Sequence, residues 1–418
     1  MEKITTEQGL QYVTQTDVGL RRANNQDAMG VMMAGDVAHW ARRGHIFLVA
    51  DGMGAHAAGE LASKMAADGV PHTYSKLLDL APPDAIRQAI IETNQQIYNR
   101  GHDDPEFHGM GTTCSALLIV PQGALVAHVG DSRVYRLRGE LYEQLTFDHS
   151  LVWELQKAGQ FGEDETPAHV PKNIITRSLG PNAGVHVDLE GPFALELDDI
   201  FLLCSDGLSG QVSDEEMGNV LGALPLDEAA QALIDIGNLR GGPDNITLLL
   251  IRVVEQDITR YAAEPFTVAS EEAHRPALHP AVWITLGVCL LVTAGLFVAK
   301  QWWPTVLAGA AAAATAALAI AKKLGPRTVH GYHVAGGHLG EGPHRKAGAK
   351  PTAASLRKFS DMTVHLRKVA EQQNWEVEWD DFNRLEAGAK SAAEKQDYQG
   401  AVAEYCRAIS SMMEQLRP

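Results

Sequence analysis

Three acidic positions in this 418-residue chain share one device, a carboxylate at the edge of an apolar run beside glycine or asparagine, and a fourth follows an arginine-bearing stretch. Val49-Ala50-Asp51-Gly52-Met53-Gly54 ends an apolar stretch in Asp and two glycines, which let backbone carbonyls come close to a cation. Phe201-Leu202-Leu203-Cys204-Ser205-Asp206-Gly207 repeats the pattern, and Asp244-Asn245 stands directly before Ile246-Thr247. The stretch from Gly19 to Asp27 adds Arg22, a guanidinium suited to bidentate phosphate contact, to the carboxylate of Asp27. Hard cations are bound by oxygen donors held rigidly, as at strand ends, so these residue types point to divalent-cation chemistry on a phosphorylated ligand. Singly, each motif would pass for a turn, and convergence in space is what would make them a site.

The elements that position them alternate between short β-rich runs and amphipathic helices from about residue 10 to 254. Strands are predicted at 11–16, 46–50, 115–120, 124–129, 133–138, 200–204 and 246–253. Short turns such as Pro121-Gln122-Gly123 and Gly130-Asp131-Ser132 favour antiparallel hairpins over helical crossovers. Helical periodicity at 59–78, 84–99 and 227–238 predicts helices that cover the sheets. The expected class is α/β (α+β), with mostly antiparallel sheets flanked by helices.

A formal net charge of -17 excludes a nucleic-acid binder, whose affinity needs clustered Lys and Arg. The four cysteines form no CxxC pair, so neither a zinc site nor a disulfide framework is expected, and the polar N-terminus carries no signal-peptide pattern. A cytoplasmic setting is predicted for the N-terminal module.

The order and context of the acidic motifs resemble the metal-dependent protein phosphatase family (protein phosphatase 2C type) over roughly the first 255 residues. The resemblance extends to Met110-Gly111-Thr112-Thr113, Val129-Gly130-Asp131-Ser132-Arg133, Leu145-Thr146-Phe147-Asp148-His149-Ser150 and Ile175-Thr176-Arg177-Ser178-Leu179-Gly180. It implies a four-layer α-β-β-α sandwich with a binuclear Mn²⁺ or Mg²⁺ centre. By that resemblance Asp51 bridges both ions, Gly52 offers its carbonyl to one, Asp206 and Asp244 bind the other, and Asp27 acts through metal-bound water. Asp131 matches an acidic position that helps Asp206 hold a third, weaker ion, the alternative being a hairpin-turn aspartate. Arg22 matches the phosphate-binding arginine. The implied activity is hydrolysis of phosphoserine and phosphothreonine by metal-activated water, in line and without a covalent phosphoenzyme. Three positions depart from the family pattern: Met53 stands where eukaryotic relatives carry a candidate histidine acid, Ala55 where glycine is common, and Gln26 where glutamate is common.

After residue 255 the character changes. A linker at 256–280 leads to uncharged apolar runs at 281–299 and 305–321, near the roughly 20 residues a bilayer core requires. Trp302 and Trp303 at the turn, and Lys322, Lys323 and Arg327 beyond it, favour a membrane hairpin with its turn outside. One span, or a buried soluble helix, is the alternative for the alanine-rich second run. A flexible linker is predicted at 322–355, and residues 356–418 read as a single tetratricopeptide-like hairpin or a plain amphipathic helix pair that binds a partner or itself. The sequence therefore describes an enzyme tethered to the cytoplasmic membrane and acting on substrates of a Ser/Thr kinase. A catalytically silent scaffold and a phosphatase switched by its C-terminal module are the competing expectations.

Overall fold

The computed structural model describes residues 5–55, 57–162, 170–171, 174–255, 267–269, 291–294, 299, 302, 304, 331–333 and 338–416. The chain divides into two compact units, residues 1–266 with 335–418, and residues 267–334.

The first unit is built on two antiparallel sheets. One has seven strands: β1 (Thr5–Glu7), β2 (Leu10–Asp17), β12 (Ile246–Val253), β11 (Ile200–Cys204), β8 (Arg133–Arg138), β9 (Leu141–Gln144) and β15 (Arg345–Gly348), in that spatial order. The other runs β10 (Asp188–Phe193), β7 (Gly123–Val129), β6 (Cys114–Val120), β4 (His45–Met53) and β3 (Asp27–Met32), with β5 (Gly111–Thr112) paired to β4. Each predicted strand is present within a few residues, and all pairings within these sheets are antiparallel.

Side-chain alternation decides which core each strand feeds. Phe201 and Leu203 of β11 join Phe47, Val49, Leu117, Val126, Leu249 and Ile251 in the core between the sheets. Leu202 and Cys204 point the other way, into a helical core. On the six-strand sheet the helices are α1 (Val37–Arg43), α2 (Ala58–Lys76) and α3 (Pro82–Asp103). Beside the seven-strand sheet lie α4 (Leu151–Lys157), α5 (Asp206–Ser209), α6 (Asp214–Ala223) and α7 (Leu226–Leu239). A capping box of Ser213 and Glu216 starts α6, and Arg240 at the end of α7 pairs with Glu216 at 2.6 Å, locking the two helices together.

The C-terminal region differs from expectation in two respects. First, 322–355 is not a linker throughout: β15 lies within it and extends the seven-strand sheet at β9, with Arg345 opposite Gln144. Second, three helices follow rather than two: α8 (Ala353–Gln372), α9 (Trp379–Glu394) and α10 (Tyr398–Leu416). Their apolar faces pack into the core that holds α6 and α7. Leu356 and Phe359 of α8 and Val402, Tyr405, Cys406 and Ile409 of α10 share one core with Met217, Val220 and Leu221 of α6 and Leu233 of α7. A satellite core of Leu366, Phe382, Leu385, Ala408 and Met412 holds the three helices to one another.

In the second unit, β13 (Thr267–Ala269) pairs antiparallel with β14 (Gly331–His333). Among the described residues no helix is long and apolar enough to cross a membrane. The runs 281–299 and 305–321 lie outside the described residues, apart from helical Leu291–Ala294 and isolated positions.

Candidate active site

The β3–β4 register sets Asp27 directly opposite Asp51. Like charges facing across a strand pair repel, so the pairing needs local support. Thr113 supplies part of it: its hydroxyl accepts from Asp51 N–H at 2.8 Å and its N–H donates to the Asp51 carbonyl at 2.9 Å. Thr112 Oγ1 donates to that same carbonyl at 2.9 Å. The Gly52 N–H donates to the Gln26 carbonyl at 3.1 Å, and a Cβ at Gly52 would fall 2.2 Å from the Gly59 carbonyl oxygen, so only glycine fits there.

Asp206 follows β11 and Asp244 precedes β12, two strands that are neighbours, so their adjacent ends bring the carboxylates together. The close approach depends on Gly207, whose Cβ would fall 1.9 Å from the Asn245 carbonyl oxygen. Ser205 Oγ donates to Asp27 Oδ2 at 2.7 Å while accepting from Thr247 N–H at 3.0 Å, which ties the two sheets at the site. Asn245 holds the loop that carries Arg22: its amide donates to the carbonyls of Val18 and Asn24 at 2.9 and 3.0 Å, and its oxygen accepts from Gln26 N–H at 2.8 Å. Arg22 Nη2 then reaches Asp244 Oδ2 at 2.6 Å, with the arginine side chain 48% exposed. Asp131 sits in the β7–β8 turn, 7% exposed, and its Oδ1 is buried without a hydrogen-bond partner among the described residues.

A cleft of about 480 Å³ opens here, with Asp131, Asp206 and Asp244 in its lining. Asp27 and Asp51 keep some accessible surface, but the protein atoms packed around them strip away most of their water. Desolvation, reinforced by Asp206 and Asp244, lifts the Asp27 carboxyl to about 6 against the hydroxyls of Ser205 and Thr247. Asp51 is pushed well above the usual carboxylate range by burial and by Asp27, Asp206, Asp131 and Asp244. Burial and Asp206 raise Asp131 to about 8, with Arg133 opposing, and burial and Asp244 raise Asp206. Carboxylates crowded together away from water favour a shared proton or a cation, and a buried acceptor such as Asp131 Oδ1 calls for a hydrogen-bond donor or a cation. The oxygen-only donor set suits Mg²⁺ or Mn²⁺.

The structure thus brings Asp27, Asp51, Asp131, Asp206 and Asp244 into one electrostatic cluster, with Gly52 beside it and Arg22 at its rim. Among the described residues no three His, Cys, Asp or Glu side chains close on a single point, and Asp244 is turned toward Arg22. Mutual repulsion of the carboxylates gives a physical reason for that splay. Sequence reasoning missed the positioning roles of Ser205, Asn245 and Thr113; Ser205 and Asn245 sit directly beside the predicted carboxylates. No histidine lines the described cleft. The acidic stretch 163–167 lies outside the described residues.

Fold and site define a phosphoester hydrolase of known architecture. The family described as Protein phosphatase 2C matches residues 21–228. A putative protein phosphatase 2C-type from Streptococcus pyogenes serotype M6 is 41% identical over 249 residues, 58% of this chain and 97% of that protein. Among solved structures, the S. agalactiae serine/threonine phosphatase is 38% identical with a TM-score of 0.52, covering 59% of this chain and 100% of that one. The Mycobacterium tuberculosis serine/threonine phosphatase PstP/Ppp is 33% identical, TM-score 0.52, covering 59% and 99%. The chain belongs to the protein phosphatase 2C family. It is a serine/threonine protein phosphatase of that type.

Proposed function

We propose that this phosphatase uses Mn²⁺ or Mg²⁺ held by Asp51, Asp206, Asp244 and the Gly52 carbonyl, with Asp131 and Asp206 offering a third, weaker position and Asp27 in the outer shell. The observation that carries this reading is the clustering of four desolvated carboxylates from separate segments, Asp27, Asp51, Asp131 and Asp206, each raised by burial and by its neighbours, with Asp244 beside them in the cleft. When bound, the cations supply charge neutralisation and water activation for attack on phosphorus.

The chain's own residues do the rest. Arg22 spends one nitrogen on Asp244 and keeps exposed donors for the equatorial phosphate oxygens. Ser205 and Asn245 fix Asp27 and the Arg22 loop, so that the anion contact and the carboxylates keep one geometry. With no histidine in the described cleft lining, solvent is the simplest proton source for the leaving alkoxide.

Phosphoproteins modified by a Ser/Thr kinase are the proposed substrates. The uncharged runs 281–299 and 305–321, with basic residues beyond the second, support a tether in the cytoplasmic membrane with the enzyme on its cytoplasmic face. The test is phosphate release by the full chain from a phosphothreonine peptide with Mn²⁺, Mg²⁺ or chelator. Turnover should require the metal and fall at least about 10³-fold in Asp206→Asn. Metal-independent turnover, or full activity in that variant, would refute the assignment.

A further inference from the structure

Residues 338–350 lie beyond the family match at 21–228, yet they supply part of the wall of the active-site cleft. Their backbone is fixed along its length. Leu339 bridges Gly191, and Gly342 N–H and His344 Nε2 meet the Glu190 carboxylate at 2.8 and 2.9 Å. His344 N–H donates to the Gln144 carbonyl at 2.8 Å, β15 continues on β9, and Ala349 N–H donates to the Glu140 carbonyl at 2.9 Å.

This attachment delivers Arg345 to the cleft that also holds Asp131, Asp206 and Asp244. Its guanidinium carbon lies 4.1 Å from the Trp153 ring centroid, and Nη2 donates to Gln156 Oε1 at 3.0 Å. Stacking on an indole orients the planar cation while leaving its edge donors free to meet an anion, and Gln156 uses only one of the five. Arg133, on the same wall, is committed to Asp148 at 2.7 Å, and Arg22 to Asp244. Among the described residues Arg345 forms no ion pair, in a cleft otherwise dominated by carboxylates.

We propose that Arg345 is a substrate-binding residue that receives an anionic side chain, a carboxylate or a second phosphate, flanking the phosphoserine or phosphothreonine. The proposal rests on the phosphatase reading above. Arg22 and the cations that the carboxylates would hold would take the scissile phosphate, so a neighbouring acidic side chain of the same peptide meets Arg345, which among the described residues forms no ion pair.

The experiment uses the full chain with Mn²⁺ and phosphothreonine peptides that differ at one flanking position, Glu, phosphoserine, Gln or Lys, with p-nitrophenyl phosphate as a substrate lacking flanks. In the parent, kcat/KM for the Glu or phosphoserine peptide should exceed that for the Gln peptide about 5–20-fold, carried by KM, and the two anionic arms show which charge is preferred. Arg345→Gln should collapse that ratio to about one, and Arg345→Glu should invert it in favour of the Lys peptide. Because each readout is a ratio within one variant, a general loss of activity does not mimic it. A parent without preference, or an Arg345→Gln variant that keeps the parental ratio, overturns the proposal alone. A parent that fails to hydrolyse even p-nitrophenyl phosphate overturns the phosphatase reading and this inference with it.

Discussion

The two sheets carry helical layers of different depth. Helices α2 and α3 cover the six-strand sheet with one apolar face: Ala62, Ala66, Val70, Ile86, Ile90 and Ile97 are buried, while Lys64, Asp68, Glu92 and Gln95 lie outside. Helices α6 and α7 are sandwiched instead. Ten of the fourteen α7 residues are buried, from Leu226 through Asn238, because α10 closes over the outer side. A helix apolar around most of its circumference is an interior helix. The difference shows that the boundary visible near residue 255 is a boundary of family resemblance and not of packing. Residues 338–416 complete the core that positions β11 and β12, and hence Asp206 and Asp244.

The strongest way to break this comparison is to end the chain at residue 255. That bares the outer faces of α6 and α7, where each large apolar side chain represents about 1.5–3 kcal/mol of burial. The summed loss rivals a domain's whole stability of about 5–15 kcal/mol. The truncated chain should aggregate or melt far below the parent in calorimetry, and an unchanged melting temperature would show the outer layer to be an independent module. Phe359→Ala sharpens the same point. This fully buried α8 side chain should cost about 3–5 kcal/mol, read as one cooperative denaturant transition that shifts as a whole. Two separable transitions, only one of them displaced, would contradict a continuous core.

The singly covered layer is probed by pH. His45 starts β4, stacks on Trp40 at 4.7 Å and accepts Ala34 N–H at Nδ1 at 3.0 Å. Burial first, and His39 second, lower it from the usual 6.5 to about 4. The unfolded chain therefore binds the proton more readily, so stability is full above pH 6.5 and is lost as pH falls toward 4, by about 3 kcal/mol in total. Unfolding free energies from denaturant titrations at pH 7 and pH 5 should differ by about 2 kcal/mol, and His45→Gln should flatten that dependence.

Much of the catalytic half was legible because its signals are local. Apolar alternation marked the strands, and Asp-Gly pairs at their ends marked Asp51 and Asp206. What the sequence did not reveal depends on distant partners. Helix α6 is short and contains Gly218 and Gly222, so its periodicity is weak until β15 and α10 pack on it. Strand β15 has only four residues, and nothing in them names β9 as its neighbour. Ser205 and Asn245 look like ordinary turn residues until the chain closes and their side chains bridge segments more than 170 residues apart. The amphipathic patterns of α8 to α10 showed apolar faces but not what covers them.

The central claim is that the carboxylate cluster is a divalent-cation centre, and titration of the full chain with Mn²⁺ by calorimetry, alongside thermal unfolding, tests it most directly. The account predicts a measurable binding heat and, at a hundredfold excess over Kd, about 2.7 kcal/mol of added stability, both largely lost in Asp51→Asn. A parent with no binding heat and no thermal shift, or an Asp51→Asn variant that binds as the parent does, would contradict it.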